Sequence, residues 1–176
     1  MRETKRPVKG FSMIELLVAV LVLAIGVLGI SSMQMLSLQS NRGALHRAEA
    51  VHLAYDMLDR IRANPLGTPV GQAYDGLELT DAPPNTNDCY AGNCSAANMV
   101  AFDQAVWKCS LGAFHSNNTC QNLRAGEVIP LETAQPGLPL GDGTISVDGG
   151  TGLITITVQW TGVNNNIQSV VVTSRG

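Results

Sequence analysis

Residues 9–30 read Lys9-Gly10-Phe11-Ser12-Met13-Ile14-Glu15-Leu16-Leu17-Val18-Ala19-Val20-Leu21-Val22-Leu23-Ala24-Ile25-Gly26-Val27-Leu28-Gly29-Ile30. A fifteen-residue apolar run, Leu16 to Ile30, starts directly after a lone acid, Glu15. No formal charge follows until Arg42, so twenty-six residues from Leu16 to Asn41 are uncharged. As a helix that span would reach about 39 Å, enough to cross a bilayer. A carboxylate at mid-bilayer costs about 2.5–3.5 kcal/mol on insertion scales. A chain that keeps such a group has a partner for it to find. A secretory signal peptide fits poorly, because the run is long, no Ala-x-Ala site follows it and Glu15 interrupts its start. Hydropathy alone leaves a plain transmembrane anchor open.

Outward from this run, the charge of the 176-residue chain is unevenly placed. The overall formal charge is −3. Residues 1–10 carry Arg2, Lys5, Arg6 and Lys9 against Glu3, while the remainder holds seven basic residues against thirteen acids. A basic segment before an apolar run favours a cytoplasmic N-terminus, since positive charge resists translocation. The acidic remainder would lie on the far side. It has no basic stripe, so nucleic acid is not an expected partner.

The helical pattern continues past the apolar run. Ala50, Leu53, Ala54, Met57, Leu58 and Ile61 recur at three- and four-residue spacing, while Arg47, Glu49, Asp56, Asp59, Arg60 and Arg62 fall on other faces. Asn64-Pro65 and Gly67 supply stop signals, because the residue before proline avoids helical geometry. The spacing predicts one helix from Ser12 to Ala63, about 78 Å long. Gly26, Gly29 and Gly43 each weaken it by roughly 1 kcal/mol relative to alanine. Close packing of helices in the membrane and local melting outside it both account for them.

The order Lys9-Gly10-Phe11-Ser12-Met13-Ile14-Glu15-Leu16-Leu17 resembles the processing site of type IV pilins and of type II secretion pseudopilins. The resemblance implies that prepilin peptidase cuts between Gly10 and Phe11 and that the new N-terminal Phe11 is methylated. Gly10 suits a tight protease groove, having no side chain and a permissive backbone. Glu15 would become the fifth mature residue and would meet the N-terminal amine of a neighbouring subunit, setting the axial register of assembly. On one helix the acid lies about 6 Å from its own amine. An acid snorkelling at the lipid interface is the plainer alternative.

Asp56-Met57-Leu58-Asp59-Arg60-Ile61-Arg62-Ala63-Asn64 resembles the end of the long helix in PilV-type minor pilins. Cys89-x4-Cys94, Phe102-Asp103-x3-Trp107 and Leu138-Pro139 with glycines behind it resemble that group too, in the same order. Cys109 and Cys120 are an extra pair outside the pattern. The resemblance implies an α+β fold, type IV pilin-like, with a long N-terminal α-helix packed on a small antiparallel β-sheet head. The expected organisation is a basic leader over 1–10 and a transmembrane or fibre-core helix over 11–40. The amphipathic half of that helix would follow over 41–63, and a periplasmic head over 64–176. It also implies an inner-membrane protein that later joins the pilus fibre, with the tip as one station. Implied partners are other minor pilins, the major pilin, the peptidase and inner-membrane lipid. A minor pseudopilin and a membrane-anchored adhesive module are the alternatives.

Within the head, residues 65–88 read as irregular loop around a short strand. Ser95 is a plausible N-cap for a short helix to Leu111, with Met99, Phe102, Val106 and Trp107 at near-helical spacing. Asp103 reads as a solvated acid beside a core-anchoring Trp107. Three alternating runs, Gly143–Val147, Leu153–Trp160 and Ile167–Thr173, have Gly- and Asn-rich connections and predict an antiparallel meander. Its apolar face needs a cover, and the stripe over residues 50–61 supplies one.

All four cysteines, Cys89, Cys94, Cys109 and Cys120, follow the apolar run. In the oxidising compartment that the resemblance implies they would form disulfides. The preferred pairing is local, Cys89–Cys94 and Cys109–Cys120, out of three connectivities. Zinc is the rival, but the CxxC knuckle spacing is missing. No HExxH, nucleophile elbow or phosphate-binding glycine loop occurs, and the Asp142 and Asp148 neighbourhoods do not form an EF-hand loop. His46, His52 and His115 are scattered. Neither catalytic residues, metal, cofactor nor small-molecule substrate is expected.

Overall fold

The computed structural model describes residues 10, 12–129, 137–162 and 165–175. Two compact units divide after Arg42. Helix α1, Met13–Ala63, is continuous through both and runs 51 residues without a break at Gly26, Gly29 or Gly43.

In the first unit α1 exposes its large apolar side chains, from Met13 at 90% through Leu38 at 62%. It is long and apolar enough to cross a membrane by length and composition. Two of its polar side chains bond back to the helix itself. Ser31 Oγ donates to the Val27 carbonyl at 2.9 Å and Ser32 Oγ to the Gly29 carbonyl at 2.8 Å. A hydroxyl bonded back to its own helix presents less unpaired polarity to an apolar surrounding.

The second unit is an α+β head. It contains the end of α1, then α2 (Ala96–Leu111), α3 (Asn118–Ala125) and three strands, β1 (Asp142–Val147), β2 (Leu153–Thr161) and β3 (Ile167–Arg175). The sheet is an antiparallel meander in the order β1-β2-β3. Along β2 every second residue from Ile154 to Trp160 is buried, as strand alternation requires on a sheet covered on one face. The cover includes α1. Ala50, Leu53, Ala54, Met57, Leu58 and Ile61 are its buried residues and share one core with Ile145, Ile154, Ile156 and Val158. The stripe in the sequence is the stripe in the fold.

Trp107 on α2 closes this core. It is fully buried, and its indole N–H donates to the Leu53 carbonyl of α1 at 2.8 Å. Gly143 lets the ring approach β1, because a Cβ there would stand 2.5 Å from Trp107 Cη2 and 2.8 Å from the Thr157 carbonyl oxygen. A second, smaller core joins α2 to α3 through Phe102, Val106, Cys109, Cys120 and Leu123.

One local expectation needs correction, and one element had no expectation at all. The segment over residues 65–88 carries no strand. It holds a 3-10 turn at Gln72–Tyr74 and a single bridge from Leu77 to Ile145. Gly71 enters that turn at φ +82°, where a side chain would be strained and a Cβ would meet Ile61 Cγ2 at 2.7 Å. The region over residues 112–125, unassigned from the sequence, contains α3, whose apolar positions are too few to show a period. Its start is marked by Asn117, whose side chain caps the Thr119 N–H at 2.8 Å.

Candidate functional site

The N-terminal element begins at Ser12. Its hydroxyl accepts from the Ile14 N–H at 3.3 Å, and its carbonyl accepts from Glu15 at 3.0 Å and Leu16 at 3.3 Å. This places Glu15 in the first turn of α1, on the exposed surface. Negative charge is favoured there by the unpaired N–H groups of a helix N-terminus. Among the described residues Glu15 forms no ion pair. Its neighbours Ile14, Leu16 and Leu17 are all more than half exposed. The result is one carboxylate on an otherwise apolar helical surface, able to receive a cation from another chain. Gly10 is exposed and nothing lies within 4 Å of the position a Cβ would take. Phe11 and residues 1–9 lie outside the described residues, and with them the proposed cleavage bond and methylation site.

In the head the four cysteines are joined as Cys89–Cys94 and Cys109–Cys120. The first closes a loop of four intervening residues before α2, and the second ties α2 to α3. No group of three or more His, Cys, Asp or Glu side chains is placed to hold a metal ion among the described residues.

Asp103 is not solvated. It is 5% exposed and sits in a polar cluster that the sequence did not reveal. Tyr74 donates to its Oδ2 at 2.7 Å and Arg60 Nη1 to its Oδ1 at 3.2 Å, while Arg60 Nε pairs with Asp56 at 2.9 Å. Asn64 Nδ2 donates to the Tyr74 hydroxyl at 3.0 Å and to the Ala96 carbonyl at 2.9 Å. Burial works to lower the Arg60 pKa, but the hydrogen bond and charge of Asp56 outweigh it and hold the group above its ordinary range. The cluster links the end of α1, the 3-10 turn and the start of α2. Two signals were present in the sequence: Asp56 and Arg60 at i,i+4 spacing, and Asp103 beside the core position Phe102.

A second buried pair joins α2 to β1. Lys108, 0% exposed at its side chain, reaches Asp142 Oδ1 at 2.6 Å and the Glu78 carbonyl at 2.7 Å. Asp142 Oδ2 also accepts from the Thr80 N–H at 2.7 Å. Asp148 spends its carboxylate on its own turn, accepting from the N–H of Gly150 at 3.0 Å and from the N–H and hydroxyl of Thr151. Both acids are therefore committed to the fold.

Comparison with known proteins adds two matches. The Prokaryotic N-terminal methylation motif matches residues 5–31, and the model described as Type IV pilin Tt1218 matches residues 32–105. No curated protein and no solved structure matches the chain. The two matches are contiguous, so together they take in α1 whole and the head through most of α2. A methylation motif that runs into a long apolar helix fits a membrane-anchored pilin. Pilins are structural rather than enzymatic proteins, whose partners are pilus components and a processing peptidase. The two matches, the exposed apolar helix and the α+β head together support a type IV pilin.

Proposed function

We propose that this chain is a minor pilin, inserted in the inner membrane with its N-terminus in the cytoplasm and its head in the periplasm. Prepilin peptidase cuts between Gly10 and Phe11 and methylates Phe11. The mature chain then leaves the bilayer and packs with other minor pilins and the major pilin. There it helps to initiate or modify the fibre. The observation that carries this reading is the continuity of α1 with the methylation motif. The motif leads directly into a helix with Glu15 in its first turn and an uncharged exposed surface beyond it, made largely of apolar side chains. Without a covering membrane or neighbouring helices, that surface would leave its large apolar side chains in water. Glu15 then supplies the charge that meets a neighbour's freed amine and fixes the stagger between helices.

The segment Asp56–Asn64 and the Cys89–Cys94 loop favour the minor-pilin assignment over a minor pseudopilin. Mass spectrometry of the native product tests the processing step. The expected product begins at Phe11 and carries one methyl group. A product that retains residues 1–10, or starts elsewhere without a methyl group, ends the reading. Deletion that abolishes surface pili supports the pilus, and deletion that stops type II secretion instead assigns the chain to that apparatus.

A further inference from the structure

The head has two adjoining depressions, of about 230 and 280 Å³, on either side of the loop Asn85-Thr86-Asn87. Asn98 and Ala101 of α2 line the first, and Thr119 and Asn122 of α3 line the second. We infer that this split groove binds an uncharged, hydroxyl-rich ligand, a neutral glycan, one sugar unit in each depression. The inference uses head residues alone and stands independently of the proposed pilin role.

Three observations carry it. The first is chemical. Both depressions carry asparagine amides on opposite walls, each amide offering both a donor and an acceptor, which is the complement of a vicinal diol. The side-chain amides of Asn87, Asn98 and Asn122 are exposed and form no hydrogen bond among the described residues. Leu123 and Val128 give the second depression an apolar patch for the carbon face of a ring. The second observation is electrostatic. No lysine or arginine lines either depression, and Asp88 supplies the one charge. Phosphates, sulfates and sialic acids are therefore disfavoured.

The third observation is rigidity. Pro83 and Pro84 lead into the loop, Pro83 is buried, and the Cys89–Cys94 bond follows it. Asp88 Oδ1 accepts from the N–H of Tyr90 at 2.8 Å and Ala91 at 3.3 Å, and Thr119 Oγ1 donates to Asn85 Oδ1 at 3.1 Å. A loop fixed at both ends and tied to α3 orders its amides before a ligand arrives, which lowers the entropy cost of binding. Both depressions fall below the roughly 300 Å³ at which drug-sized pockets begin, so they suit small units rather than one large apolar molecule.

The test is an array of neutral and sialylated oligosaccharides probed with the full chain in a zwitterionic, sugar-free detergent. The expected result is binding to neutral oligosaccharides and at least tenfold weaker binding by Asn87→Ala combined with Asn122→Ala. Gln168→Ala, an exposed amide on β3, should bind as the parent does. Two-dimensional NMR of the parent with the best-bound oligosaccharide should shift the side-chain amides of Asn87, Asn98 and Asn122, which decides the matter even if the double variant folds poorly. The inference is overturned by no binding to any neutral oligosaccharide, by equal binding of a folded double variant, by preference for sialylated chains, or by shifts elsewhere.

Discussion

The Tyr74 phenol donates a 2.7 Å hydrogen bond to Asp103 Oδ2, joining the turn after α1 to the middle of α2. Both residues are buried, and Asn64 completes the phenol by donating to it at 3.0 Å. Removing the hydroxyl would leave one oxygen of the nearly buried Asp103 without its Tyr74 donor. A buried group that loses its partner costs about 1–3 kcal/mol.

Tyr74→Phe should therefore lower the unfolding free energy of a head fragment, residues 43–176, by about 1–3 kcal/mol in denaturant titration. Burial, reinforced by the hydrogen bond to Asp103, pushes the Tyr74 phenol above its ordinary value of 10.0. A raised folded pKa contributes stability that is full below pH 10.0 and fades as pH rises past it. The parent should lose this contribution at high pH, and Tyr74→Phe should show a shallower alkaline fall. Equal stability and equal alkaline slopes in the two proteins would show that the hydrogen bond contributes nothing.

How far the sequence disclosed this arrangement differs from element to element. The helix, its buried stripe and the three strands were legible because each rests on a period that repeats within one segment. Ala50 to Ile61 recur every three or four residues, and Leu153 to Trp160 alternate. The Tyr74–Asp103–Arg60 cluster was not legible, because its members lie on three separate elements and no local pattern links them. Asp103 was misread for the same reason: in isolation an acid on a helix is solvated, and only tertiary packing buries it. Helix α3 was hidden because eight residues with few apolar positions give no measurable period.

The buried pair of Lys108 and Asp142 should respond asymmetrically to substitution. Lys108 reaches Asp142 from a fully buried position, so Lys108→Met strands an acid that is 13% exposed at its side chain. Removing one partner of such a pair costs about 3–5 kcal/mol, whereas removing both is often nearly neutral. Asp142→Asn added to Lys108→Met should recover part of the loss, giving a coupling of about 0.5–3 kcal/mol in a double-mutant cycle. The same fragment and the same denaturant titration supply all four corners. Strictly additive losses would mean that the pair does not act as a unit.

The turn between β1 and β2 offers a titration that the rest of the head does not disturb. The Thr151 hydroxyl, with the N–H groups of Thr151 and Gly150, holds the Asp148 carboxyl below its ordinary 3.8. A depressed folded pKa contributes stability that is present above pH 3.8 and lost as pH falls through the lower folded value. Thr151→Ala removes the hydroxyl and should move the Asp148 carboxyl resonance midpoint upward toward 3.8 in an NMR titration. An unchanged midpoint would assign the shift to the backbone N–H groups alone.

Glu15 tests the other unit. It is the only formal charge between Gly10 and Arg42, and it stands in the first turn of α1 on a surface of exposed Ile14, Leu16 and Leu17. Glu15→Ala removes a charge that is costly in an apolar surrounding, so insertion into the membrane should be unimpaired or slightly favoured. Cleavage should also persist, since Gly10 and Phe11 are untouched. What the variant lacks is the carboxylate that would answer a neighbour's N-terminal amine. Membrane fractions should then contain processed protein, and sheared fibres should contain at least tenfold less of it than the parent. If the variant enters the fibre at the parental level, Glu15 does not set the register; if it stays uncleaved, its acid belongs to peptidase recognition instead.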